Sequence, residues 1–308
     1  MKQGRWRAGL AALLTAVVAT AVAGPACGGG GTGDGAPPWP DEGGAQTDVI
    51  AVIASSQLTV GENRFLMALL DDQNHILSSP DLKVHMAFYY LDRSRTEPVT
   101  EADGRFIWAI PDQRGLDVAY VDFDEPGTWG VDVTATPPEG EPIRVRALFT
   151  VLERGSTPAV GEPAFPSNTK TLADVPDIAQ LTSDEHPDER LYRLSIADAL
   201  QERKPFVVAF ITPAFCTSAV CGPTLDVVKE VMPGYLPAVN FIHVEVYDLT
   251  KPGELVTVPA IQEWGLPSEP WVFVVDGQGK VAAKFEGAVS ADELREALDS
   301  VSASASPR

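Results

Sequence analysis

The sequence predicts two domains, an all-β sandwich followed by an α/β domain. Three observations predict it. Residues 48–153 hold about seven short runs of strand-forming residues, each bounded by turn signals. The run FVVAFI at 206–211 is apolar throughout, as a buried strand is, and helical spacing follows at Leu225, Val228 and Val231. Composition also shifts sharply at 28–47 and at 154–191, where proline and acidic residues dominate.

At 308 residues the chain has room for two domains of ordinary size. Residues 1–27 read as a targeting segment, with Lys2, Arg5 and Arg7 ahead of an apolar stretch at 8–23. That stretch is short for a membrane span. Two endings stand open. Ala21-Val22-Ala23 offers a small-residue cleavage site for secretion. Alternatively, Cys27 resembles the lipidated cysteine of bacterial lipoproteins, although Gly24-Pro25-Ala26 departs from their usual motif, which places Leu three positions upstream. Three cysteines leave one over if two of them pair, and lipidation accounts for Cys27. Either ending puts the protein outside the cytoplasm, where disulfides persist. A lipid on Cys27 would make the membrane a partner. A formal charge of −20 without a basic patch excludes a nucleic-acid partner. Residues 28–47 are expected to be a disordered tether.

Within 48–153 the expected strands are 49–54, 64–70, 83–91, 105–109, 119–123, 128–135 and 144–152. Turn signals lie at 61–63, 71–74, 111–115 and 137–140. This density of short strands resembles an Ig-like or fibronectin-like sandwich, with Trp129 packing inward. The domain has no cysteine, hence no sandwich disulfide. His75 in a turn and His85 on a strand read as surface or core histidines, since no cluster of His or Met accompanies them. No metal and no cofactor is expected.

Residues 154–191 form a linker, either mobile or strapped across the second domain. The segment LSIADALQERKP at 194–205 reads as a helix capped by Ser195, with Asp198 in the capping-box position. After the 206–211 strand come Cys216 and Cys221 and then a helix. A second buried strand falls in 239–248. WVFVVD at 271–276, the Gly277-Gln278-Gly279 turn and a further strand follow. Ser290 and Glu293 then cap a closing helix at 290–301.

A strand, a cysteine pair and a helix in this order resemble the thioredoxin-like superfamily, over 192–303. The resemblance implies a redox-active pair at a helix N-terminus, where unpaired N–H groups and the dipole favour a thiolate. It makes Cys216 the nucleophile, Cys221 the resolving thiol and Pro270 the cis-proline of the substrate groove, beside Glu269, Phe215 and Thr212. The partners implied are protein thiols and disulfides outside the cytoplasm. Departures from the family are Phe215 in place of a tryptophan, no buried acid in VVAFIT, and Glu269 before the proline. A carboxylate beside Cys216 raises its pKa, which makes either a sluggish nucleophile or one selective for basic partners.

The spacing of the pair constrains the local structure. Positions five apart on a regular helix rise about 7.5 Å and point about 140° apart, whereas a disulfide needs Cα atoms within roughly 7 Å and converging Cβ atoms. Cys216 therefore belongs in a loop, with the helix regular only near Pro223, since a proline is tolerated in the first turn alone.

Three alternatives remain. TPAFCTSAVCG resembles the active-site stretch of bacterioferritin-comigratory-type peroxiredoxins, which implies a peroxidatic Cys216, a resolving Cys221 and a peroxide-binding Thr212. Against it stand one extra residue between Thr212 and Cys216, a missing upstream proline, and no arginine on the later strand, where Lys284 lies too far along. A structural disulfide in an envelope binding or scaffold protein is the second. Copper delivery of the Sco type is the third, but the spacing differs and His243 sits in a core strand.

Overall fold

The structure, a computed structural model, describes residues 38–42, 48–251 and 253–304. The expected targeting segment, Cys27 and most of the expected 28–47 tether lie outside the described residues. The expectation of a disordered tether is corrected at residues 38–42. Trp39 is buried, with its ring edge-on to Tyr89 at 5.1 Å and the Arg146 guanidinium 4.3 Å over its face. A side chain at Gly130 would occupy the space of the Trp39 ring, so the glycine lets the indole lie against the sheet. Burial of the indole outweighs the freedom of a Gly- and Pro-rich segment.

The first half is a β-sandwich. Its strands are β1 (Val49–Ile53), β2 (Leu58–Thr59), β3 (Gly61–Asp71), β4 (Lys83–Tyr90), β5 (Thr100–Asp103), β6 (Arg105–Ile110), β7 (Arg114–Phe123), β8 (Gly127–Thr136) and β9 (Ile143–Leu152). One sheet runs β1-β3-β7-β6 and the other β2-β9-β8-β4-β5. Alternation sends Phe65, Met67, Leu69, Val121 and Phe123 from the first sheet against Met86, Phe88, Trp129 and Val131 from the second. Trp129 points inward, 4.9 Å from Phe123, and its indole N–H donates to Glu125 O.

All seven expected strands form. The short β2 and β5 were not expected, because two residues and the polar TEAD carry no alternation. The 61–63 turn signal is overridden, since β3 starts at Gly61, whose φ of +94° makes the corner while it pairs with Phe123. Likewise Arg114 and Gly115 join β7, which tightens the 111–115 turn.

The second half carries α1 (Ile196–Glu202), β10 (Phe206–Ile211), α2 (Cys221–Val231), β11 (Asn240–Glu245), α3 (Pro259–Glu263), β12 (Trp271–Val275), β13 (Val281–Glu286) and α4 (Ala291–Ser304). The sheet order is β11-β10-β12-β13, with β10 parallel to β11 and antiparallel to β12. Alternate residues of β10 face opposite layers. Val207, Ala209 and Ile211 pack with α2 and α4, while Phe206, Val208 and Phe210 pack with α1, Ala260 of α3 and Trp264. Burial on both faces explains why the strand reads as a continuous apolar run. The Glu269-Pro270 bond is cis.

Residues 154–191 are a strap rather than a mobile linker. Gly161 N–H donates to Val281 O and Ala164 N–H to Gly279 O, which lays the segment along the edge strand β13. Farther on, Leu181 enters the core beside α2.

The described residues from Pro38 on belong to one compact unit, in which the outer face of the first sheet docks on the second half. Leu66, Ile107, Ala109 and Val118 pack with Val220 and Ala288. The centre is a buried ion pair. Arg64 donates Nε to Glu293 Oε1 at 2.7 Å and Nη2 to Glu293 Oε2 at 3.0 Å, while Nη1 also donates to Glu286 O and Nη2 to Ala288 O. Tyr120 donates to Glu293 Oε1 at 2.8 Å. The same glutamate closes the capping box of α4, accepting from Ser290 N–H and Oγ.

Burial opposes the charge of Glu293, but Arg64, the Ser290 N–H and Tyr120 outweigh it and bring the pKa to about 2. A folded-state pKa below the unfolded value gives stability that is complete above about pH 4.3. That stability is lost as pH falls toward about 2. Urea unfolding at neutral pH should show Arg64→Ala destabilised by roughly 3–5 kcal/mol, because a buried carboxylate loses its cation. Glu293→Gln should lose part of the acid-side pH dependence. A change below about 1 kcal/mol in Arg64→Ala, typical of surface pairs, would contradict this.

Candidate functional site

The cysteines lie at the C-terminal end of β10. Phe210 is opposite Trp271, so Glu269 and Pro270 enter the sheet at this same end. Ile211 is opposite Glu245, which ends β11 here too. Cys216 sits in the loop and Cys221 is the first residue of α2. They form a disulfide with Cα atoms 6.0 Å apart, a separation that a loop start allows and a regular helix does not. Pro223 is the third residue of the helix, inside the turn whose N–H groups need no intrahelical partner.

The two sulfurs differ in access. Cys216 is half-buried, with Sγ 3.2 Å from Ser218 Oγ, whereas Cys221 is fully buried in the core under α2. Val220, the N-cap, offers no side-chain hydrogen bond to the first turn, so those N–H groups and the helix dipole are directed at the cysteine end.

Phe215 is 39% exposed and meets Tyr247 edge-on at 5.8 Å. Glu269 is half-buried, and burial raises its carboxyl above the ordinary range. Pro270 is buried. Thr212, expected in the groove, is corrected. It is fully buried, and its hydroxyl finds no partner among the described residues. The reason is position, since Thr212 directly follows a strand covered on both faces.

Sequence reasoning missed a polar layer beneath the loop. Glu245 is 4% exposed and accepts from Ser183 N–H at 2.9 Å and Ser183 Oγ at 2.7 Å. Ser183 Oγ accepts in turn from Ala214 N–H at 3.0 Å, two residues before Cys216. A buried acid thus supports the loop from the neighbouring strand rather than from β10. Its signal was a lone acid in the apolar VNFIHVEV run.

His243 lies beside it, 3% exposed. Its Nε2 is 2.9 Å from Ile211 O, which can only accept, so Nε2 carries the proton. Nδ1 then accepts from Tyr192 O–H at 2.7 Å. Both nitrogens serve the fold, in keeping with the core role expected of this residue. His75 and His85 make surface pairs with Asp71 and Asp103. A cavity of about 570 Å³ opens beside the layer, lined in part by Lys170, Leu181, His243, Glu245, Tyr247 and Val258.

No family model matches the chain, and no curated protein matches it. Among solved structures, the chain is similar to the crystal structure of MtrC from Shewanella baltica OS185, at 10% identity and a TM-score of 0.24, over 40% of this chain. The match spans about a quarter (24%) of the MtrC chain. The crystal structure of the Lin-41 filamin domain is similar at 12% identity and a TM-score of 0.20, over 34% of this chain and 93% of the filamin domain.

Burial holds the His243 imidazole below its ordinary 6.5. A lowered folded-state pKa gives stability present above the unfolded value and lost as pH falls below it. NMR of the ring nitrogens should place the His243 midpoint below 6.5, with the proton on Nε2 above the midpoint. A midpoint above 6.5, or a proton on Nδ1 of the neutral ring, would contradict the arrangement.

Proposed function

We propose that residues 192–303 are a thioredoxin-like domain whose Cys216–Cys221 pair performs thiol–disulfide exchange on protein partners outside the cytoplasm. The observation that carries the reading is the asymmetry of the disulfide: a reachable Cys216 in a loop, bonded to a buried Cys221 that starts a helix. The strand–loop–helix order and the entry of Pro270 at the same sheet end support it.

In the reduced protein the Cys216 thiolate attacks one sulfur of a partner disulfide. A mixed disulfide forms, and the other partner sulfur leaves as a thiolate that takes up a proton. The Cys221 thiolate then attacks Cys216 Sγ, closing the internal disulfide and releasing the second partner thiolate. Two electrons pass to the partner, and the reverse sequence oxidises a partner dithiol. Phe215, next to Cys216 in the chain, offers an apolar contact, and Glu269, which enters at the same sheet end, is suited to a basic partner. The reading also takes the first half as an Ig-like sandwich, 1–27 as an export signal and Cys27 as the site of a lipid anchor. Among the described residues no helix is long and apolar enough to cross a membrane.

The peroxidase reading is less well supported. It needs the Thr212 hydroxyl beside the peroxide, and that residue is fully buried. Lys284, the cation on the later strand, donates to Thr157 Oγ1. The full burial of Cys221 keeps a structural disulfide as the second reading.

Reduced Cys221→Ser, mixed with glutathione disulfide, should accumulate a mixed disulfide at Cys216, detected by mass spectrometry. The reduced wild type should instead close its internal disulfide and release both glutathiones. Cys216→Ser should stay unmodified until denatured. If Cys216→Ser reacts as fast as Cys221→Ser, the assignment of nucleophile is wrong. If neither reacts while folded, the pair is structural.

A further inference from the structure

The loop between the cysteines is held by the other half of the molecule. Arg114, the first residue of β7, donates Nη1 to Ser218 O at 2.8 Å. Ser218 is the residue whose Oγ lies 3.2 Å from Cys216 Sγ. Val220, just before Cys221, is buried in the interface among Leu66, Ile107, Ala109 and Val118. Between these two anchors Ala219 sits at φ +62°, a left-handed conformation that a Cβ disfavours. Ala219 N–H reaches back to Cys216 O at 3.4 Å, completing a turn around the disulfide.

Arg114 is placed for this by its own strand pairing. It stands opposite Ile110 at the start of β7, where Asp112 at φ +56° makes the corner. Its neighbours along the docked face are anchored as well: Arg64 to Glu293 and, at the rim, Arg105 to Glu296. The sandwich is therefore fixed at a distance from the loop before Arg114 reaches Ser218.

We propose that Arg114 is a positioning residue for the Cys216–Cys221 pair, holding the inter-cysteine loop in the shape that the disulfide requires and so favouring the oxidised state. On this account the sandwich is a working part of the redox unit. The loop shape and the S–S bond stabilise each other. Removing the Arg114 hydrogen bond loosens the oxidised loop, while the reduced loop, free of the bond, can let Ala219 leave its left-handed conformation. The functional meaning of the effect rests on the exchange reading, but the effect itself does not.

The test is the equilibrium of the full-length protein with glutathione. Two glutathione thiols supply two electrons and two protons, giving the dithiol and glutathione disulfide. Arg114→Ala should shift this equilibrium toward the dithiol roughly fivefold, about the worth of one ordinary hydrogen bond, since solvent competes for the exposed Arg114. For a two-electron couple that is about 20 mV. Arg114→Lys, which keeps a cationic donor, should recover part of the shift. Ala219→Gly, which removes the left-handed penalty, should shift the equilibrium toward the disulfide. Thermal unfolding of each oxidised variant checks that both halves remain folded. Equal equilibrium constants for Arg114→Ala and wild type would overturn the proposal, and so would Arg114→Lys behaving like Arg114→Ala. A wild-type pair too stable for glutathione would instead sink the exchange reading. The ratio between variant and wild type could then still be read in dithiothreitol buffers.

Discussion

The bidentate pair between Arg64 and Glu293 is the constraint on which the arrangement of the two halves depends. A guanidinium from the sandwich enters the first turn of α4 and meets a carboxylate that is fully buried. Such a pair is costly to bury and more costly to break, so it specifies one docking geometry rather than simply adding stability. With that geometry set, Val220 finds an apolar bed on the outer face of the sandwich and Arg114 comes within reach of Ser218. The position of the cysteine loop thus follows from an interaction more than seventy residues away in sequence from Cys216.

Much of the fold was legible because its signals are local. Alternation located the seven main strands of the sandwich, and an unbroken apolar run located β10. The four-residue spacing of the cysteines, taken with helix geometry, placed Cys216 in a loop and Pro223 in a first turn. The capping box at Ser290 and Glu293 was legible for the same reason. The second task of Glu293 was not, since nothing near it in sequence announces Arg64 or Tyr120. Burial of Trp39 and the strap at 154–191 were also hidden, because both depend on surfaces contributed by distant strands.

The candidate site shows the same division. Its sulfurs could be read from their spacing, and Phe215, Glu269 and the cis-proline position only through the thioredoxin-like resemblance. Its support could not. Glu245, Ser183 and Ala214 come from a strand, the strap and the cysteine loop, and only the folded chain joins them. Thr212 was assigned to the groove on a motif likeness, and burial at the end of β10 removes it from reach. Of the two cysteines, Cys216 is the half-buried one and Cys221 the fully buried one.

The central claim is that this disulfide is made to be broken and remade. Thiol trapping of the soluble wild-type protein, equilibrated across glutathione buffers, measures that directly. The account predicts a midpoint between about −270 and −120 mV, the range of exchange catalysts. A pair that stays oxidised below about −300 mV would be a structural bond, and the exchange account would be wrong.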